Sequence, residues 1–313
     1  MPRFTDHAGQ RLHYRARGQG ECLLLVHGLA SCGAHWELQA RALEAHFRVI
    51  IPDLPGCGAS APLASQCTIA DLAALLWSLL DHLHVSRANV VGFSLGGAVA
   101  LEMALQRPDA VSRLALINSL AAYRIDHWRK WLEARVPPVL IRLLGMRRMA
   151  CLIAARLFPA PWQSPLRRRV AAIVGQVSPA AYIGLASALE GWTATSRLSR
   201  LRSRTLIIAA EHDYTPLAEK MAMAATMHAQ LVVVRGSRHG TPFDAIATTN
   251  ACLLAWLLDR PLPAAERCVS DGPGDRLAPA CQAPVLHAPP HRAPGGIGLS
   301  GRGLGSARTA HTP

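Results

Sequence analysis

The segment Gly92-Phe93-Ser94-Leu95-Gly96-Gly97 lies between the apolar run NVVGF (89–93) and the helical pattern GAVALEMALQRP (97–108). Small residues two before and two after a serine let a strand and a helix approach closely while the serine takes a strained turn conformation, which aims its hydroxyl over the end of a sheet. That is the setting of a nucleophile. A serine hydroxyl needs a base, and the base needs a carboxylate to orient it. Downstream, Glu211-His212-Asp213-Tyr214-Thr215-Pro216 follows TLIIAA (205–210), and Gly236-Ser237-Arg238-His239-Gly240-Thr241-Pro242 follows LVVV (231–234). Both segments sit just past the carboxyl ends of late strands, where a parallel sheet gathers its active-site loops. Of the fourteen histidines, His239 is preferred because it occupies a glycine-flanked loop after the last strand. His212, beside the acid, and His228, at a helix end, are weaker candidates. The chain order Ser94, Asp213, His239, with Glu211 as the alternative acid, suits attack on a carbonyl carbon through an acyl-enzyme, with no metal or organic cofactor required.

The elements that must hold these residues follow from hydrophobic period. The runs LLLV (23–26), FRVII (47–51), NVVGF (89–93), LALIN (114–118), TLIIAA (205–210) and LVVV (231–234) are short, continuous and apolar, as strands buried on both faces of a parallel sheet must be. WELQARALEAHF (36–47), IADLAALLWSLLDHL (69–83) and ATTNACLLAWLLD (247–259) recur at helical spacing. Alternation of this kind predicts an α/β fold, a mostly parallel sheet covered by helices on both sides in three layers. Residues 122–200 interrupt it with basic amphipathic helices punctuated by Pro137, Pro138, Pro159, Pro161, Pro165 and Pro179. The expected organisation is a core in two parts, 1–121 and 201–260, an inserted helical cap at 122–200, and a disordered tail at 261–313 with nine Pro and eight Gly.

From roughly residue 10 to 260 the chain resembles the α/β-hydrolase superfamily, in its serine esterase branch. Val26-His27-Gly28-Leu29 follows the first buried strand, and the resemblance implies that the backbone N–H of Leu29 is one oxyanion donor, with that of Leu95 the second. Asp53-Leu54-Pro55-Gly56-Cys57-Gly58 resembles the family's D-x-x-G-x-G turn, a structural feature, and His27 is expected to shape its loop. The sequence departs from the family at Ala210, where many relatives carry glycine. Serine at the elbow argues against the dehalogenase and epoxide hydrolase branches, which use aspartate there. Enol-lactone and carbon–carbon bond hydrolases share the same triad and cap and remain alternatives, as does a ligand-binding fold without turnover.

Seven of the 16 aromatic residues fall within the insertion, and Trp128, Trp131, Trp162 and Trp192 are the candidates for contact with a hydrophobic acyl or alkyl group. The insertion also holds 13 Lys and Arg against three Asp and Glu, most of the chain's net charge of +13. Arg142, Arg147, Arg148, Arg156 and Arg167 to Arg169 surround apolar residues, a pattern suited to an anionic membrane surface or an acidic carrier protein. The elbow and the place of the insertion also resemble pimeloyl-carrier-protein methyl ester esterases, which implies the carrier. No helix-turn-helix, zinc or RNP-like signature accompanies the charge, so no nucleic-acid partner is expected. Eight scattered cysteines without a CxxC pair, no signal-like start and no window of about 18 uncharged apolar residues point to a cytoplasmic protein. The overall expectation is a carboxylic ester hydrolase acting on a small to medium hydrophobic substrate.

Overall fold

In the computed structural model, which describes residues 3–6, 9–62 and 66–263, the apolar runs pair into one eight-stranded sheet. In chain order the first elements are β1 (Arg3–Thr5), β2 (Arg11–Arg17), β3 (Cys22–Val26), α1 (Glu37–Leu43), β4 (Arg48–Pro52), α2 (Ile69–His82), β5 (Ala88–Phe93), α3 (Leu95–Gln106) and β6 (Val111–Ile117). Then come three helices, α4 (Trp128–Leu157), α5 (Ser164–Val174) and α6 (Pro179–Leu189). The sheet resumes with β7 (Arg204–Ala210), α7 (Leu217–Met227), β8 (Gln230–Val234), α8 (Thr241–Asp244) and α9 (Ile246–Leu257). The strand order is β1-β2-β4-β3-β5-β6-β7-β8, parallel from β4 to β8, with β1 and β2 antiparallel at one edge.

Because side chains alternate across a strand, each central strand feeds two cores. Leu24, Val26 and Val90 face the layer of α2 and α3, while Leu23, Leu25 and Val91 face the layer of α1 and α9. The helices are docked by specific contacts as well. Thr68 and Asp71 form a reciprocal cap at the start of α2, a device worth about 1 kcal/mol. Trp77 Nε1 of α2 donates to the Met103 carbonyl of α3 at 3.2 Å.

The insertion between β6 and β7 enters and leaves through a short antiparallel clasp. Tyr123 N donates to Trp192 O at 2.9 Å, Gly191 N to Tyr123 O at 2.9 Å and Ala194 N to Ala121 O at 2.7 Å. Beside it, Arg197 grips the Glu102 carboxylate of α3 with two bonds of 2.7 and 2.8 Å, and Trp192 Nε1 adds a third at 2.9 Å. Two expected prolines, Pro137 and Pro138, do not punctuate helices but lie inside α4, which breaks instead at Gly145. The reason is conformational: Gly145 holds φ +77°, a region costly for any residue with a Cβ. Pro165 and Pro179 do start α5 and α6, where a missing N–H costs nothing. The part of the expected tail from 264 onward lies outside the described residues; 261–263 have no regular secondary structure, and Leu262 packs against the α1–α9 layer.

Candidate active site

Ser94 stands between β5 and α3 with φ +54° and ψ −120°, a conformation L-residues seldom adopt and one that costs on the order of 1 kcal/mol or more. The surrounding glycines make it possible. A Cβ on Gly92 would overlap the Gly96 carbonyl, and one on Gly96 would overlap the carbonyls of Val26 and His27. Ala30 and Asn118, just past the ends of β3 and β6, are also at positive φ, so backbone strain gathers at the carboxyl ends of these central strands.

The loops after β7 and β8 bring two further groups to the serine. His239 Nε2 lies 2.9 Å from Ser94 Oγ, and its Nδ1 lies 2.7 Å from Asp213 Oδ1. His239 and the Asp213 side chain are almost fully buried. Asp213 Oδ1 also accepts from Thr215 N at 3.2 Å and Oδ2 from Thr215 Oγ1 at 2.6 Å. Burial acts to raise its pKa, but the charges of His239 and Lys220 outweigh burial and hold the carboxyl well below the usual carboxylate range. With Nδ1–H donating to Asp213, Nε2 is left to accept the serine proton, so the three residues can pass a proton between Ser94 and a reacting group. The alternative acid Glu211 points elsewhere and accepts from Gly236 N at 2.8 Å. His212 and His228 are both exposed, the latter ending α7 in a left-handed conformation.

Several positioning groups escaped the sequence pattern. Asn118, wholly buried, donates through Nδ2 to His239 O at 2.8 Å and Thr241 Oγ1 at 2.7 Å, and accepts from Ala210 N at 2.7 Å. One side chain thereby ties the ends of β6 and β7 to the histidine loop. Asp244 caps that loop from Ser237 Oγ at 2.6 Å and Arg238 N at 3.1 Å. Lys220, from α7, is fully buried and donates to Asp213 Oδ2 and to Thr215 O. Tyr214 lays its ring over His239 at 4.2 Å, and buried His35 stacks on Phe93 at 4.8 Å. The pattern D-Y-T-P after β7 and an asparagine ending β6 are the only sequence signals for these groups.

Other expectations resolve into structure. His27 is a neutral bridge: Nδ1–H donates to Gly28 O and Nε2 accepts from Leu54 N, both at 2.9 Å, and burial lowers its pKa. Asp53 accepts from His13 Nδ1 at 2.7 Å, Gly33 N at 2.6 Å and Ala59 N at 3.0 Å, holding the turn that ends in Gly58. Leu29 borders the cavity above Ser94, and Leu95 is the first residue of α3, where amides have no carbonyl one turn earlier.

The cavity itself measures about 520 Å³ and reaches from Ser94 and His239 into the insertion. Its far wall is aliphatic: Leu132, Val136, Leu140, Leu152, Ile153 and Val174. The four indoles expected there are not among its lining residues. Trp128, Trp131 and Trp162 are more than half exposed on the outer side, and Trp192 is committed to Glu102 at the clasp. Among the described residues, no group of three His, Cys, Asp or Glu side chains could hold a metal ion.

The model of the family described as the alpha/beta hydrolase fold matches residues 21–245. The chain belongs to the α/β-hydrolase fold family. Within that family it is 35% identical, over 214 residues, to a protein of Variovorax paradoxus provisionally named carbamate hydrolase RutD, covering 64% of this chain and 78% of that one. It is 41% identical over 119 residues to a pimeloyl-[acyl-carrier protein] methyl ester esterase of Vibrio vulnificus, and this match spans 38% of the chain and only 45% of that relative's length. A thermophilic esterase from Thermogutta terrifontis superposes with a TM-score of 0.72 at 26% identity, over 83% of this chain and 99% of its own. The eight-stranded, mostly parallel sheet with flanking helices is therefore that of an α/β-hydrolase. No single helix among the described residues is long and apolar enough to cross a membrane.

Proposed function

We propose that this protein is a serine hydrolase that cleaves a carboxylic ester with a small to medium hydrophobic acyl or alkyl group. The observation that carries the reading is the hydrogen-bonded series Ser94–His239–Asp213 opening into an aliphatic cavity. His239 Nε2 takes the Ser94 proton as Oγ attacks the carbonyl carbon, and Asp213 holds the imidazole in the required tautomer and balances its charge. The backbone N–H groups of Leu29 and Leu95 stabilise the tetrahedral oxyanion, each contributing about 3 kcal/mol in sites of this kind. Protonated His239 then gives its proton to the departing alkoxide, leaving an acyl-Ser94. Water, deprotonated by His239, attacks the acyl carbon, and Ser94 leaves with the proton returned.

The test is hydrolysis of p-nitrophenyl esters from acetate to laurate by the full chain beside Ser94→Ala. Loss of at least about 10⁴-fold in the variant, with an optimum at intermediate chain length, is the expected result. Activity that survives in the variant, or a folded wild type that cleaves no ester, overturns the reading.

The outer face of the insertion supports a partner reading alongside. Six of the eleven large hydrophobic side chains exposed among the described residues, Trp128, Trp131, Val139, Leu143, Leu144 and Trp162, lie in the insertion without lining the cavity, with Leu143 at 74% exposure. The same stretch carries the exposed side chains of Arg142, Arg147 and Arg148. Charge alone would suit an acidic carrier; apolar side chains and indoles beside the charge favour an anionic membrane surface. Co-sedimentation with phosphatidylglycerol vesicles, and not with phosphatidylcholine vesicles, is expected, and binding to neither removes this partner.

A further inference from the structure

Lys220 is the one lysine whose side chain is wholly buried among the described residues, and the function proposed above makes no use of it. It extends from the first turn of α7 to the Asp213 carboxylate, where it bonds Oδ2 while His239 holds Oδ1. Its second partner, Thr215 O at 3.3 Å, is also an acceptor, as an ammonium requires. Among the described residues, the hydrogen bonds to this carboxylate come from His239, Thr215 and Lys220. We infer that Lys220 is a positioning residue of the catalytic series: it locks Asp213 and shares its charge, and so keeps His239 available as a neutral base in more acidic solution than Asp213 alone would permit. The inference rests on the serine-hydrolase reading of the same site.

Charge balance carries the argument. With Lys220 charged, Asp213 ionised and His239 neutral, the buried group sums to zero, and a proton on His239 leaves a net positive charge in a poorly solvated place. Without Lys220 the same proton would neutralise a net negative charge. Stability does not explain the residue, because a buried ion pair seldom outperforms apolar side chains of similar volume. Burial lowers the Lys220 pKa, with the Asp213 charge opposing it. Of the other charged or titratable groups, Tyr214 lies against His239 at 4.2 Å, and His212 and Arg238 border the cleft beside Asp213 and His239, while the rest sit further out. Glu219 of α7 lies 3.9 Å from Lys130; Arg156 of α4 stands over Tyr214 at 5.1 Å; Arg169 of α5 stands over Phe243 at 5.8 Å. His35 is separated from His239 by Phe93, which both rings contact, and Tyr123 bonds Ser119 and the Leu120 N–H.

The experiment measures the rate of Ser94 modification by a fluorophosphonate across pH 5 to 9 in the full chain, because this reads the nucleophile without requiring a known ester. For Lys220→Met the acid limb is expected to move up by about one pH unit, so the ratio of rates at pH 8.5 and pH 5.5 grows about tenfold. Lys220→Arg, which retains the charge, is expected to restore the wild-type limb. A folded Lys220→Met with an unmoved limb overturns the inference. Should that variant fail to fold, Lys220→Gln is read in the same way, and failure of both to fold makes Lys220 a structural residue and also overturns it. Absence of labelling in the wild type is a different result, because it removes the serine-nucleophile reading itself.

Discussion

The carboxyl ends of the strands and the helical insertion face each other across one cavity, yet they are built to different tolerances. At the strand ends, Ser94, His239 and Asp213 are each fixed from several directions: by glycines that admit no Cβ, by Asn118, by Asp244 and by the Thr215–Lys220 pair. In the insertion, Gly145 and Gly184 have open space where a Cβ would stand, and aliphatic side chains line the cavity. The proposed ester hydrolysis would account for the difference. Bond making needs reacting atoms placed within a few tenths of an ångström, whereas an apolar group needs only a dry wall of suitable size.

That contrast can be broken most directly at its glycines. Gly96→Ala is expected to abolish soluble, folded protein, because the new Cβ meets the backbone of Val26 and His27, which cannot yield. Gly184→Ala, in the interior of α6, is expected to raise stability by about 0.5–1 kcal/mol in a denaturant titration. A normal melt for the first variant would end the comparison. The next largest effect belongs to Asn118→Ala, which leaves the Ala210 N–H without its acceptor and frees the His239 loop. A loss of about 2–4 kcal/mol, with a fall in esterase activity, is expected.

At the joint between the two regions, Glu102 supplies a pH handle. Burial acts to raise its carboxyl, but bonds from Arg197 and Trp192 more than offset this and leave it below the ordinary glutamate value. A depressed carboxyl stabilises the fold fully above the unfolded value, near 4.3, and loses that contribution as pH falls toward the folded one. The wild type should therefore lose melting temperature more steeply below about pH 4.5 than Glu102→Gln, with Trp192 fluorescence reporting the change. The smallest effect on stability is expected on the outer face. Leu143→Asp with Leu144→Asp should alter it by less than about 0.5 kcal/mol and spare hydrolysis of small soluble esters, while removing vesicle binding.

How far the sequence could be read tracks the same division. Buried parallel strands announce themselves as continuous apolar runs, so β3 to β8 fall within a few residues of their expected places. β1 and β2 lie outside that signal, because RLHYRAR alternates in polarity on the antiparallel side of the sheet instead of forming a continuous apolar run, and β1 spans only Arg3–Thr5. The elbow and the His239 loop were legible because strained turns demand glycine. Lys220 was not: in LAEKMAMAATM it reads as an ordinary helix lysine, and only the approach of α7 to the 211–216 loop gives it a buried partner. The indoles misled for a similar reason. Indole supplies apolar area wherever it stands, and the tertiary packing, not the residue type, put Leu132, Val136 and Leu140 on the inner side of α4.

The clasp joining Tyr123 to Trp192 has a consequence for how such a molecule can diversify. The two arms of the insertion meet at adjacent positions in the clasp, Ala122 opposite Thr193, so a segment of different length can start and end at the same two points. Doubling the length of such a loop costs only about 0.6 kcal/mol in closure entropy. Helices can thus be lengthened, shortened or replaced by grafting between the two arms, and the wall of the cavity can change through descent or design while the proposed reactive centre is inherited intact.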